Sequence, residues 1–185
     1  MTTETLIRAI SRGDHSSFEQ LYRGLQRPML AYAIGILAGD REAAEDVVDE
    51  AFVDIWKGAS GYSGTGSADG WVRRIVRNKA IDWLRRQKGD RVFDWSDTHE
   101  QQADQAPNPE EIAIASSDGE WLRQGLLRLN VSQREALILC YFEERPLAEI
   151  ADIMACPQNT VKTKLFYARQ NLRRLSGKSG AVVAI

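Results

Sequence analysis

The chain has 185 residues, 43% of them hydrophobic and 27% charged, with a formal net charge of −2. This is a soluble globular composition with room for one domain or two small ones, and no apolar run approaches the roughly 18 residues a membrane span needs. Two cysteines (Cys140, Cys156) and two histidines (His15, His99) exclude a disulfide framework, a four-cysteine zinc site and a histidine-rich metal centre. The opening residues, MTTETLIRAISRGD, lack a basic stretch followed by a small-residue cleavage site. The expectation is a reduced, cytoplasmic protein without cofactor or metal and without direct membrane insertion.

The near-neutral total conceals three blocks. Residues 1–88 carry a net +1, residues 89–118 a net −7 and residues 119–185 a net +4. A partner feels charge within a Debye length of about 8–10 Å, so the blocks matter more than their sum. Both outer blocks read as helical. Ser16 followed by Glu19 has capping-box spacing, as does Ser132 followed by Glu135, and Asp40 is placed to cap the run after it. Long alternating β-branched runs are absent. The expected fold class is all-α: two small helical domains, 1–88 and 119–176, joined by a flexible acidic linker, 89–118, with a short tail, 177–185. The linker is polar and contains Pro107 and Pro109, while Val92, Phe93 and Trp95 are apolar exceptions suited to docking on a neighbouring surface.

The first informative helix spans about Asp40–Lys57. At about 100° per residue, Ala44, Val47, Val48, Ala51, Phe52, Ile55 and Trp56 share a broad apolar face, and Glu42, Glu45, Asp46, Asp49, Glu50 and Asp54 share the other. A solvated face is the plainer reading. Carboxylates at i,i+3 and i,i+4 with no interleaved cation repel one another, however, and gain stability from a basic partner. A carboxylate-dependent hydrolase built on Asp46 or Glu50 is the enzymatic alternative. It is disfavoured because no histidine lies in the helix and one ridge of acids does not converge on a point.

Gly58–Gly70 is a glycine-rich loop. The helix after it, about Trp71–Lys88, buries Val72, Val76, Ala80 and Leu84 along a stripe, with Ile75 and Trp83 beside them. Arg73, Arg74, Arg77 and Arg85 cluster on one flank, and Lys79, Arg86 and Lys88 complete its basic set. Cations neutralise phosphates and aromatic faces stack on exposed bases, so Trp71 and Trp83 have a nucleic-acid reading beside a core one. The core reading is favoured for at least one of them.

Pro146–Arg174 reads as a helix-turn-helix. A short helix, PLAEIADIM, ends at the turn Ala155-Cys156-Pro157, and a longer helix begins near Gln158 with Val161, Leu165, Ala168, Leu172 and Leu175 inward. Its other arc presents Asn159, Lys162, Thr163, Phe166, Gln170 and Arg173, with Arg169 at the edge. From Pro157 to Lys178 there are six basic residues and no acid. Asn159 and Lys162 suit base-edge acceptors, Phe166 a thymine methyl, and Arg169, Arg173 and Arg174 phosphate.

Taken together, AEDVVDEAFVDIW, WVRRIVRNKAIDWLRR and SQREALILCYFEERPLAEIADIMACPQNTVKTKLFYARQNLRR, in that order, resemble a bacterial RNA polymerase sigma factor of the extracytoplasmic-function group. The resemblance covers about residues 5–88 and 119–176. It implies a region 2 domain followed by a region 4 domain. The acidic helix, through Glu45, Asp46, Asp49, Glu50 and Asp54, would dock on the β′ clamp helices of core RNA polymerase. Trp71, Arg73, Arg74, Arg77, Asn78 and Lys79 would hold melted −10 DNA, Asn78 lining the pocket for a flipped base. Asn159, Lys162, Thr163, Phe166, Arg169 and Arg173 would bind the duplex −35 element, with the β flap touching the same domain. It also implies an anti-sigma factor as partner. The sequence departs from the family where Ser67, Ala68 and Asp69 precede Gly70-Trp71, and where Leu129-Asn130-Val131 stands in place of the usual Leu-Pro. The competing function is a helix-turn-helix regulator that binds duplex operators independently of polymerase, which leaves the acidic helix and the Trp/Arg helix without a role.

Overall fold

A computed structural model describes residues 1–88 and 124–176; the expected linker and tail lie outside the described residues. Among the described residues there is no strand, and no helix is long and apolar enough to cross a membrane.

The first unit contains α1 (Thr3–Ile10), α2 (His15–Ile36), α3 (Arg41–Gly58), a single 3-10 turn (Ala59–Gly61) and α4 (Ala68–Lys88). The apolar spacing read from the sequence is the core. Val47, Val48, Ala51, Phe52 and Ile55 of α3 and Val72, Val76, Ala80 and Leu84 of α4 are buried together with Leu21, Met29, Tyr32 and Ile36 of α2. Trp71 and Trp83 are half-buried and pack against this core, so both serve as packing residues. Under the acidic face of α3, an aromatic cluster ties α2 to α3. His15 stacks on Trp56 at 4.5 Å between ring centroids, Phe18 meets Trp56 edge-on at 5.3 Å, and Tyr22 meets Phe52 at 4.8 Å. Pro28 sits inside α2 on its exposed side, where the missing N–H is least costly because the freed carbonyl meets water.

The helix starts differ in part from those expected. Asp40 does cap α3, its carboxylate accepting from the Ala43 N–H at 3.0 Å. Neither capping box forms. Asp14, two residues before Ser16, caps α2 by accepting from the Ser16 N–H at 2.9 Å, and Glu19 instead pairs with Arg23. Asn130 caps the first long helix of the second unit, accepting from the Gln133 N–H at 2.8 Å. Both true caps lie two residues upstream of the serine and are equally good cap types, which leaves each glutamate free for other partners.

The second unit opens with a helical turn at 124–127 and continues as α5 (Val131–Leu137), a π-helical turn (Ile138–Phe142), α6 (Leu147–Met154) and α7 (Gln158–Ser176). Ala155 adopts a left-handed conformation, φ 51°, and the Cys156 N–H closes α6 on the Ala151 carbonyl at 3.0 Å, which makes the expected tight turn. Val161, Leu165, Ala168 and Leu172 pack inward from α7.

The two units are packed together. α2 lies against α5 and α4 against α6, and one buried apolar cluster runs through both. Gly35 of α2 faces the start of the π-helical turn, where a Cβ would press on the Cδ1 of Ile138 and make that side chain shift.

The caps supply a direct check. Asp14→Ala and Asp40→Ala should each lower the midpoint of urea denaturation measurably, while Ser16→Ala should leave it nearly unchanged.

Candidate functional site

The acidic ridge of α3 is open to solvent. Glu42, Glu45, Asp46, Asp49 and Glu50 are exposed and Asp54 is half-buried. Burial of the opposite face in the core forces this outward display. Arg41 pairs with Glu45 at 2.9 Å, and the Tyr22 hydroxyl donates to Asp49 at 3.4 Å. Val53, 49% exposed, is an apolar residue on the ridge that the charge pattern concealed. Among the described residues no group of three or more His, Cys, Asp or Glu is arranged to hold a metal ion.

Lys79, grouped by sequence with the nucleic-acid residues of α4, is turned toward this ridge. Its Nζ lies 2.9 Å from Asp54 Oδ2 and 3.5 Å from Glu50 Oε2. The hydrogen bond to Asp54 is the main cause holding its ammonium above the usual lysine range.

Three arginines of α4, Arg73, Arg74 and Arg77, meet the second unit. The reading from sequence placed Arg73 and Arg77 on an outward flank; both are buried instead. Arg73 Nε donates to Glu143 Oε2 at 2.5 Å and Nη1 reaches the Asp69 carbonyl at 3.4 Å. Arg77 Nε donates to Glu135 Oε1 at 2.7 Å, and the same oxygen accepts the Tyr32 hydroxyl at 2.8 Å. Arg74, more exposed, donates to the Asp152 carbonyl at 2.5 Å. Arg145 bridges Glu149 at 3.2 Å, Glu143 at 3.4 Å and Asp69 at 3.8 Å. Trp71 packs against Tyr62 with centroids 5.3 Å apart. Asn78 is exposed and lines a shallow cleft of about 270 Å³ with Arg77, Ile81, Asp82, Arg85 and Met154.

Sequence reasoning missed the carboxylates that answer these arginines. Glu135 has no exposure at all, and desolvation pushes its carboxyl up, with Arg77 as the main opposing influence. The Tyr32 phenol is raised well above its ordinary value by the same burial and by Glu135. Arg134, the neighbouring buried cation, is lowered to about 10 by desolvation; it donates to the Ile36 carbonyl at the end of α2 at 2.6 Å. The available signal was a glutamate directly before the apolar run Ala136-Leu137-Ile138-Leu139, a position where burial demands a cation.

On α7 the arc expected to face DNA is exposed: Asn159, Lys162, Thr163, Phe166, Gln170 and Arg173. Phe166 is 56% exposed and meets Tyr167 edge-on at 5.4 Å. The Thr163 hydroxyl donates back to the Asn159 carbonyl at 3.0 Å. Arg169 is half-buried, its Nε donating to the Leu165 carbonyl at 3.2 Å and its Nη1 lying 3.4 Å from the Tyr141 hydroxyl.

The two kinds of α4 ion pair separate energetically. Arg77→Ala leaves a carboxylate in the interior and should cost about 3–5 kcal/mol in urea denaturation. Lys79→Ala breaks pairs that are part-exposed and should cost less than about 1 kcal/mol.

Comparison with known proteins accounts for both units. Residues 21–89 match the Sigma-70 region 2 family and residues 119–172 match the Sigma-70, region 4 family. The ECF RNA polymerase sigma factor SigM of Mycobacterium tuberculosis is 30% identical over 172 residues, covering 93% of this chain and 83% of that protein. SigE of Mycolicibacterium smegmatis, also an ECF RNA polymerase sigma factor, is 29% identical over 148 residues, covering 80% of this chain and 57% of its own length. Among solved structures, the sigma factor RpoE of Bartonella quintana, in complex with the anti-sigma factor NepR, has the same fold. Its TM-score is 0.64 at 24% identity, covering 86% of this chain and 96% of that one. With a region 2 in its first helical unit and a region 4 in its second, the chain belongs to the extracytoplasmic-function sigma factors of the sigma-70 family.

Proposed function

We propose that this alternative sigma factor binds core RNA polymerase through the α3 ridge and reads the −35 element with α7. In the initiating complex it holds the −10 element as a melted strand along α4 and the Gly58–Gly70 loop. The observation that carries the reading is the joint exposure of two opposed surfaces on one chain: the carboxylates Glu45, Asp46, Asp49 and Glu50 on α3, and the uncovered arc of α7. A regulator acting alone on duplex DNA has use for the second only.

Each surface has a physical task. The ridge is self-repelling in the free protein, and a basic partner such as the β′ clamp helices relieves that repulsion. Asp54 and Glu50 already hold Lys79 and Glu45 holds Arg41, so the attraction left for a partner is strongest at Glu42, Asp46 and Asp49. On α7, Lys162 and Asn159 reach base edges in the major groove, Phe166 lies against a thymine methyl and Arg173 fixes the register on phosphate. Thr163 positions the turn through its bond to the Asn159 carbonyl, and Arg169, tied to the helix and to Tyr141, presents its remaining donors to the backbone. Melting needs no covalent chemistry: capture of unstacked bases beside Trp71 and Asn78 offsets the few kcal/mol that unstacking costs. The β flap would contact region 4. A protein inhibitor of the anti-sigma type is the expected regulator, as it is for the Bartonella RpoE with NepR.

Charge reversal of Glu45, Asp46, Asp49 and Glu50 to lysine should abolish co-migration with core polymerase and transcript formation, while helical circular dichroism is retained. Transcripts at normal levels from that variant would favour the polymerase-independent regulator. On α7, Lys162→Ala should relax base preference at one position by about 1–3 kcal/mol, and Arg173→Ala should weaken all duplexes evenly, in competition binding against a promoter library.

A further inference from the structure

We propose that Arg8 of α1 is a positioning residue for the −10 site: through its contacts with Glu4, Tyr62 and Gly64 it fixes the shape of the glycine-rich loop, and with it the preference for the captured base. α1 ends before residue 21, where the match with region 2 begins, so this role lies outside the matched residues. The inference rests on the reading of the Gly58–Gly70 loop as a seat for an unstacked base.

The middle of the loop has little of its own to hold it. The Tyr62 N–H donates to the Ala59 carbonyl at 3.2 Å, and the Trp71 N–H reaches the Ser67 carbonyl at 2.9 Å. Between them, residues 63–66 make no backbone–backbone hydrogen bond among the described residues, and the Ser63 hydroxyl bonds within the loop, to Thr65. Gly64 and Gly66 both have positive φ, 75° and 78°. Glycine has the most backbone freedom to lose, so a segment with two of them needs an outside support to keep one shape.

α1 supplies that support. Leu6, Ile7 and Ile10 are buried in the core, and the helix packs against the 3-10 turn and α4, the two elements that flank the loop. Arg8 stays exposed beside the loop. Glu4, one turn earlier, accepts from its Nε at 3.0 Å and from its Nη2 at 2.8 Å through a single oxygen. The guanidinium carbon stands 6.0 Å from the centroid of the Tyr62 ring, at the outer reach of a cation–π contact. A Cβ at Gly64 would lie 2.5 Å from Nη2, so a side chain there would displace the guanidinium from the loop backbone.

Tyr62 carries the effect to the site. Its ring is buried and packs on Trp71 with centroids 5.3 Å apart, while its hydroxyl oxygen has no hydrogen-bond partner among the described residues. Ring contacts therefore place it, and Arg8 and Trp71 are two of them. Direct phosphate binding is the rival role for Arg8, and Glu4 opposes it. The carboxylate already neutralises the guanidinium, and a second anion brought to the same fork is repelled by the first. The two side chains are 54% and 48% exposed, where an i,i+4 ion pair adds little to stability. What the pair does set is the direction of the guanidinium, toward Tyr62 and Gly64.

The test is in vitro transcription by the full chain with core RNA polymerase, on a template library randomised at the −35 and −10 positions. Arg8→Ala and Glu4→Gln should each reduce the preference between best and worst base at one −10 position about two- to fivefold, the weight of one exposed cation–π contact. Preferences at −35 and helical circular dichroism should be unchanged. The double variant should lose little more than either single one, because both act through the same guanidinium. Opposite signs overturn the proposal: if Arg8→Ala lowers transcripts from all templates evenly and Glu4→Gln raises them, Arg8 holds phosphate. Equal losses of preference at −35 and −10 mark a general structural role and overturn it too. If neither variant moves the −10 preference while Asn78→Ala erases it, the inference falls and the reading of the loop stands. If Asn78→Ala also leaves that preference unchanged, the base is seated elsewhere, and the reading of the loop falls together with the inference.

Discussion

A carboxylate deprived of water at Glu135 is the constraint around which the two helical units are arranged. Leaving such a group unpaired is costly, and its own helix has no cation aimed at it. Arg77 from α4 and Tyr32 from α2 both deliver a hydrogen to the same oxygen, so three helices from two units converge on one atom. One helical turn earlier on α4, Arg73 repeats the pattern with Glu143. Apolar contact is tolerant of sliding; these bonds are not, because each has a direction and a length. The Arg134 guanidinium at the carboxyl end of α2 adds a third directional tie, where the helix dipole favours a cation.

That geometry divides the charged surfaces into those facing water and those facing each other. The ridge of α3 and the polar arc of α7 are outward because the apolar faces of the same helices are consumed by the core. The Arg73 and Arg77 guanidiniums of α4 are inward because a second acidic surface is there to receive them. A chain with a net charge of −2 can therefore present strongly signed patches without carrying a strong overall charge.

The helices themselves were legible in the amino-acid sequence. Apolar residues at helical spacing placed α3, α4, α6 and α7, and family resemblance put them in the order region 2, region 4. Starts of helices were less legible: Ser16-x-x-Glu19 and Ser132-x-x-Glu135 fit a capping box, yet Asp14 and Asn130 compete for the same task from two residues upstream and win. Assigning Glu135 to a cap hid its real place in the interior. The inward turn of Arg73 and Arg77 was invisible for another reason. Their partners lie 70 and 58 residues away, and periodicity along one helix reports which side is polar, never which polar side finds a mate. Lys79 shows the same limit, since its basic neighbours suggested phosphate while its spatial neighbours are Asp54 and Glu50.

The π-helical turn at Ile138–Phe142 sits between the two acidic anchors, Glu135 before it and Glu143 after it. An α-helix of the same span would contain one residue fewer, and each residue advances the helical phase by about 100°. Shortening this turn by one residue would carry the Glu143 carboxylate to the azimuth where Phe142, 60% exposed, now meets water. The irregular turn thus works as a phase adjuster, a single inserted tooth that brings two anchors on one segment into mesh with two arginines on another.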